Sequence, residues 1–320
     1  MVEIVGTRRV NVVTGEHTHR FGIHGTDLGI LWDNGKGELL VAFGDTYNER
    51  WGGHEVPLIH AADWRCNVLA TSTDRDLDRG MHLADVVARE DGTARQFIES
   101  DHEVEEVTII PNSGIAVDGY NYVQYMSVRK WRDDGWDTNY GGIAVSADGG
   151  TTWTKPRTAR WPNTPKGDDP FQICAFATDS THVYLVGTTN GRFGDAYLAR
   201  CRKWDILTPG AYEFWTGTWG PGPATPAMSG PVGEMSVTYN AHFGLWLAMH
   251  LDETRAAIVL RTAPELTGPW TDGQVLVSGR DVPALYGGYF HPWGKDGTDL
   301  YWTLSQWGPY NVSLMRTTLK

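Results

Sequence analysis

Ser146-Ala147-Asp148-Gly149-Gly150-Thr151-Thr152-Trp153 fits the pattern Ser-x-Asp-x-Gly-x-x-Trp, the hairpin signature called an Asp box. Its physics is that of a tight β-turn. The Asp148 carboxylate accepts hydrogen bonds from turn amides, Gly149 and Gly150 tolerate positive φ, and Trp153 folds back over the hairpin. Such hairpins recur on the outer strands of β-propellers, many of which cut or bind sugars. A box of this kind lies far from a propeller axis, so it speaks to architecture and leaves the chemistry to be sought elsewhere.

Outward from the box the chain repeats itself. Five passages show short apolar strands followed by a hairpin punctuated with Asp, Gly, Pro and Trp, roughly at residues 21–100, 101–165, 166–228, 229–282 and 283–320. The strands are β-branched or aromatic, and turn signals such as Asp33-Asn34-Gly35 and Asp296-Gly297 separate them. No segment keeps a helical period for three turns. The last passage ends without an outer strand, while residues 1–14 supply a spare one. The expected fold is all-β: one domain over residues 1–320, a five-bladed β-propeller whose N-terminal strand closes the last blade.

Composition narrows the function classes. A net charge of −12 disfavours nucleic acid and anionic membrane surfaces and suits a neutral ligand. No apolar run is long enough to span a membrane. The first residues lack an apolar signal core, which implies either synthesis without a secretion signal or a signal already removed. Cys66, Cys174 and Cys201 have no CxxC spacing, so buried free thiols are expected rather than disulfides or zinc. The 15 tryptophans are about three times ordinary usage; they serve either as core or as platforms for sugar rings.

In a propeller the inner strands begin near the axis at one end, where their polar side chains converge. Those starts carry Asp27, Glu105 and Glu106, Asp169 to Gln172, Glu234, and Tyr289 to His291. Crowded carboxylates repel unless they hold a cation or perform acid/base work. Asp27 and Asp45 flank a hairpin centred on Asn34-Gly35 and return to the same end of blade one. With a three-residue loop Asp27 faces Phe43 and Asp45 lies diagonally across, roughly 7–8 Å away, a separation that suits an inverting glycosidase; with a two-residue loop they lie on opposite faces. The same residues also fit simple turn caps.

Glu234 is the third candidate carboxylate, as a substrate or pKa-tuning group. His24, Asn139, Gln172, Arg192, Tyr289 and His291 are candidate substrate contacts, with His60 also near the axis and Trp51, Trp131 and Trp136 as subsite walls on long loops. No spacing supports a transition-metal site, and no cofactor is required, though the carboxylates leave room for a calcium ion. No phosphate loop, nucleophile elbow or dinucleotide fingerprint is present. The arginine triad of a sialidase is also missing.

The passages Gly25-Thr26-Asp27-Leu28-Gly29, Phe43-Gly44-Asp45-Thr46, Thr138-Asn139-Tyr140-Gly141-Gly142-Ile143-Ala144, Asn190-Gly191-Arg192-Phe193-Gly194 and Glu234-Met235-Ser236-Val237-Thr238-Tyr239-Asn240 occur in an order that resembles the domain-of-unknown-function 4185 family of actinobacteria and their phages, associated with glycoside hydrolase family 183. The resemblance implies a five-bladed propeller that hydrolyses internal linkages in D-arabinan, the arabinofuranose polymer of mycobacterial arabinogalactan and lipoarabinomannan. It places the family's two catalytic aspartates at Asp27, assigned as base, and Asp45, assigned as acid, an order open to reversal. It also implies action on the cell envelope, with a virion-associated, lysis-released or trimmed secreted protein as the routes there. The alternatives are a lectin or phage tail module that binds glycan without cutting it, and another five-bladed glycosidase acting on L-arabinan or fructan.

Overall fold

Residues 2–48, 63–101, 104–133 and 135–320 are described by a computed structural model; Trp51 and His60 lie outside the described residues. The short β-branched and aromatic runs pair as antiparallel sheets. From the inside out, blade one is Leu28–Asp33, Leu39–Phe43, Val68–Ser72 and Asp85–Val86. Blade two is Thr108–Val117, Tyr120–Arg132, Gly135–Ser146 and Arg160–Pro162. Blade three begins with Ile173–Thr178, His182–Thr188 and Ala196–Arg202 and is widened by Glu213–Trp215, Trp219–Gly220 and Pro226–Met228. Blade four is Met235–Asn240, Leu245–Asp252, Ala257–Ala263 and Gln274–Ser278. The inner strands touch one another in a closed cycle, blade five returning to blade one, and the chain is a five-bladed β-propeller.

Blade five is Leu285–Phe290, Asp299–Gln306 and Asn311–Leu319, and its outer strand is Ile4–Val12 from the start of the chain. The pairing runs from Ile4 opposite Leu319 to Val12 opposite Ser313, so the strand that would otherwise be a free edge is covered. Backbone bonds of 2.9 and 3.0 Å join Glu3 to Lys320 in both directions. The N-terminal closure expected from sequence is therefore present.

The core lies between the blades, where apolar faces of neighbouring sheets meet. Trp32 and Trp302 are buried there, so part of the tryptophan excess is core. The Asp box closes the outer part of blade two as its sequence demands. Asp148 accepts from Thr152 N at 2.9 Å and Thr152 Oγ1 at 2.6 Å, Ser146 Oγ donates to it at 2.8 Å, and Gly149 and Gly150 sit at φ of 82 and 103°. Trp153 folds back to donate to Gly150 O and packs edge-on against Phe97 and Trp32. The box thus rivets blade two to blade one. The three cysteines are free and buried, and no helix among the described residues is long and apolar enough to cross a membrane.

Candidate active site

All five inner strands contribute to a cavity of about 850 Å³ at the end of the axis where they begin. Asp27 and Leu28 come from blade one, Ile110 and Asn112 from blade two, Ile173 from blade three, Glu234 from blade four, and Leu285 and Tyr286 from blade five. Asp45, Arg192, Glu253, Trp307 and Tyr310 complete the inner wall.

The two aspartates meet there, by a route that differs from a regular ladder. The hairpin pairs Asp33 with Leu39, leaving five residues in the loop, and a bulge at Gly29 brings Leu28 opposite Phe43. Asp27 therefore stands against Gly44 rather than Phe43. A Cβ on Gly44 would fall on the Asp27 carboxylate, so only glycine admits the acid at this position. The chain bends at Gly44 and Asp45 before pairing Thr46–Tyr47 with Trp64–Arg65. That bend, and not a diagonal ladder position, brings Asp45 to the cavity wall, so the separation of roughly 7–8 Å expected from ladder geometry does not carry over.

Both carboxyls are held above the ordinary aspartate range. Burial raises Asp27 to a pKa of about 8, helped by the neighbouring charges of Asp45 and Glu234 and opposed by hydrogen bonds from Tyr286 and Tyr310. Tyr286 donates to Asp27 Oδ2 at 2.9 Å, while Oδ1 has no hydrogen-bond partner among the described residues. Burial raises Asp45 to about 6, opposed by bonds to Oδ1 from Thr108 Oγ1 at 2.8 Å and Trp64 Nε1 at 3.0 Å. Burial also keeps the phenols of Tyr286 and Tyr310 firmly protonated.

Arg192 and Glu234 reach the cavity as a pair. Arg192 donates to Glu234 Oε1 through Nε at 3.0 Å and Nη2 at 2.7 Å and lies 3.4 Å from Glu253. Burial works against the guanidinium charge, but the two glutamates outweigh it. Glu234 Oε2 is buried without a hydrogen-bond partner among the described residues and is available to a ligand hydroxyl.

Other candidates sit elsewhere. His24 stacks on His19 with ring centroids 3.8 Å apart, outside the cavity lining. Asn139 ties Glu105 O to Ser127 Oγ. Glu106 accepts from Ser127 Oγ at 2.6 Å, and Asp169 caps a turn through Phe171 N. Gln172 is fully buried and satisfied by Thr138, Trp161 and Asp169.

Tyr289 and His291 require a correction. The inner strand of blade five begins at Leu285, so these two residues lie toward its far end, in the core. The tyrosine of this strand that reaches the cavity is Tyr286. Trp131 and Trp136 do line the cavity, but on strands rather than a loop: they face each other at the end of the long second hairpin of blade two, centroids 5.9 Å apart. Sequence reasoning missed Tyr286, Trp307 and Tyr310. Among the described residues no group of three or more His, Cys, Asp or Glu is arranged to hold a metal ion.

Solved structures with this fold include a putative hydrolase from Bacteroides ovatus, with TM-score 0.62, 13% identity, and 94% of this chain and 88% of that one covered. A family 117 glycoside hydrolase from Zobellia galactanivorans gives 0.59, 11%, 98% and 90%. The α-L-arabinofuranosidase PaAbf62A from Podospora anserina gives 0.53, 12%, 98% and 95%. At these identities the likeness is one of fold. Among curated proteins, the notoamide biosynthesis cluster protein J of Aspergillus sp. (strain MF297-2) is 32% identical over 94% of this chain and 84% of its own length. The model of a domain of unknown function, DUF4185, matches residues 13–316, and the chain belongs to that family.

Proposed function

We propose that the protein is a glycoside hydrolase that cleaves internal D-arabinofuranosyl linkages in mycobacterial-type arabinan at the cell envelope. The observation that carries this reading is the pair of axial carboxyls with separated pKa values, about 8 at Asp27 and about 6 at Asp45. Between those values Asp27 holds its proton and donates it to the departing glycosidic oxygen. Asp45 is then the anion that assists attack at the anomeric carbon. This reverses the order assigned from the resemblance, because the deeper electrostatic penalty falls on Asp27.

The free oxygen of Glu234 and the Arg192 guanidinium orient sugar hydroxyls, and the aromatic wall stacks on the rings. The named activities of the fold neighbours, a family 117 glycoside hydrolase and an α-L-arabinofuranosidase among them, support glycosidic chemistry in a cavity of this kind.

Purified protein incubated with mycobacterial arabinogalactan is expected to release arabino-oligosaccharides, and Asp27→Asn or Asp45→Asn to lower the rate by about 10²–10⁴-fold. Unchanged cleavage by both variants would remove the assignment. The second reading, a propeller that binds glycan without cutting it, draws on the aromatic wall and the Arg192–Glu234 pair; retention of the polymer with no released product would favour it. Release from L-arabinan or fructan alone would move the substrate elsewhere.

A further inference from the structure

A second pocket, of about 320 Å³, opens beside the central cavity and shares Arg132, Gly135 and Trp136 with it. Its far side is formed by the segment 163–167, which leads from blade two to blade three, and by the loop 189–194 of blade three. We propose that this pocket is an outer saccharide subsite, which holds the flank of a neutral polysaccharide chain whose scissile bond lies at Asp27 and Asp45. The proposal rests on the glycosidase reading above and adds the path of the substrate.

Three observations carry it. First, the lining changes character along the path: the cavity wall is largely aromatic and aliphatic, whereas the outer pocket presents amides, hydroxyls and turn backbone. That lining matches a polyol better than an apolar ligand. Its one carboxylate, Asp137, is bound by Arg132 through two bonds of 2.8 and 2.6 Å and lies 3.9 Å from Arg129, so these side chains are engaged with one another rather than held out for a ligand.

Second, aromatic rings follow the same path. Trp131 at the cavity is 41% exposed, Trp136 forms the shared wall, and Phe193 in the outer pocket is 60% exposed. An exposed aromatic residue on a polar rim is a ready platform for a sugar face.

Third, the pocket is pre-built. Asn190 Nδ2 donates to Trp136 O at 2.7 Å, and Asn163 Nδ2 donates to both Asn190 Oδ1 and Thr138 Oγ1 at 2.8 Å. This amide relay ties the hairpin of blade two to the segments 163–167 and 189–194, so little ordering is left for a ligand to impose. Lys166 stands exposed on the rim with no ion pair among the described residues. A cavity that continues into a second pocket lets a chain run on past the cleavage point, as internal cleavage demands.

The test is a series of D-arabinofuranosyl oligosaccharides, from disaccharide to octasaccharide, assayed with the wild type and with a Lys166→Ala, Phe193→Ala double variant. In the wild type kcat/KM is expected to rise with length, and in the variant the ratio of long to short is expected to fall about tenfold or more, with an unchanged melting temperature. The same length profile in both proteins would overturn the subsite. Should no oligosaccharide be cleaved at all, the glycosidase reading fails, and calorimetric binding of the same series still decides the pocket. Length-dependent affinity lost in the variant supports it, and affinity independent of length or unchanged by the variant overturns it.

Discussion

The Tyr286 hydroxyl donates to Oδ2 of Asp27 across 2.9 Å, joining the inner strand of blade five to the start of blade one inside the cavity. The bond favours the ionised carboxylate, against burial that favours the acid. Asp27 is thus held between two opposed influences, and either can be altered alone.

Removing the hydroxyl with Tyr286→Phe takes away one of the two hydrogen bonds that lower the Asp27 pKa. The alkaline limb of the kcat/KM profile on arabinan is expected to move upward from about 8. A limb that stays in place would show that Asp27 is not the group titrating there.

Glu234→Gln works in the opposite sense. The Glu234 charge helps raise Asp27, so its neutralisation should bring the alkaline limb down while KM rises through the weakened Arg192 contact. If both variants shift the limb the same way, this electrostatic account fails.

The wild-type profile itself should be bell-shaped. Asp45 must be ionised, giving an acid limb near 6, and Asp27 protonated, giving the alkaline limb near 8. Asp45→Asn retained at full rate with both limbs intact would contradict that order.

Stability should pull against activity at Asp27. Between about pH 4 and pH 8 the unfolded chain has this carboxyl ionised while the folded chain keeps it protonated. The folded state then binds more protons, so stability falls as pH rises through that window. Asp27→Asn avoids the loss and is expected to melt a few degrees above the wild type near pH 8 and level with it near pH 4. Calorimetry at the two pH values checks it; a lower melting point at both would refute it.

Asp148→Ala should affect folding alone. Burial nudges this carboxyl upward, but bonds from Thr152, Ser146 and Thr151 outweigh it and hold the pKa at about 2. Its contribution is present above about 4 and lost as pH falls toward 2. The exposed turn keeps the cost to about 1 kcal/mol. A lower melting point at neutral pH with unaltered kcat/KM on arabinan is expected, and a fall in kcat/KM would bring the box into the chemistry.

What the sequence revealed, and what it hid, follows from local physics. Strand periodicity and turn residues are short-range signals, so the blades, the N-terminal closure and the convergence of Asp27 and Asp45 on one end of blade one were legible. Tyr286 was not, because Gly287-Gly288 directly after it reads as a turn. In the fold Gly287 takes a φ of 60° at a bulge, and a Cβ on Gly288 would strike the Met249 sulfur at 2.9 Å. The glycines serve a strand that is bulged and closely packed. Trp131 and Trp136 read as loop because Lys130, Arg132, Asp133 and Asp134 surround them in sequence. In the fold Trp136 is buried between less buried neighbours and packs with Met126, Val128 and Ile173, a contact from other strands that the local composition does not signal. Gln172 and His291 are polar yet fully buried, and polarity alone does not separate a buried structural role from a ligand contact.

The first strand of the chain finds its partner only in the last, with Thr7 and Thr317 sharing a hydrogen bond 310 positions apart. Pairing of Ile4–Val12 must therefore await the synthesis of Asn311–Leu319, about 300 residues later. The two strands cover each other's edge, so loss of Ile4–Val12 alone uncovers Asn311–Leu319 while the inner strands around Asp27 stay in place. Glu3 and Lys320 lie side by side, so a propeller in which these two residues are joined and the chain is opened in an outer loop would close the same ring by a different order of assembly.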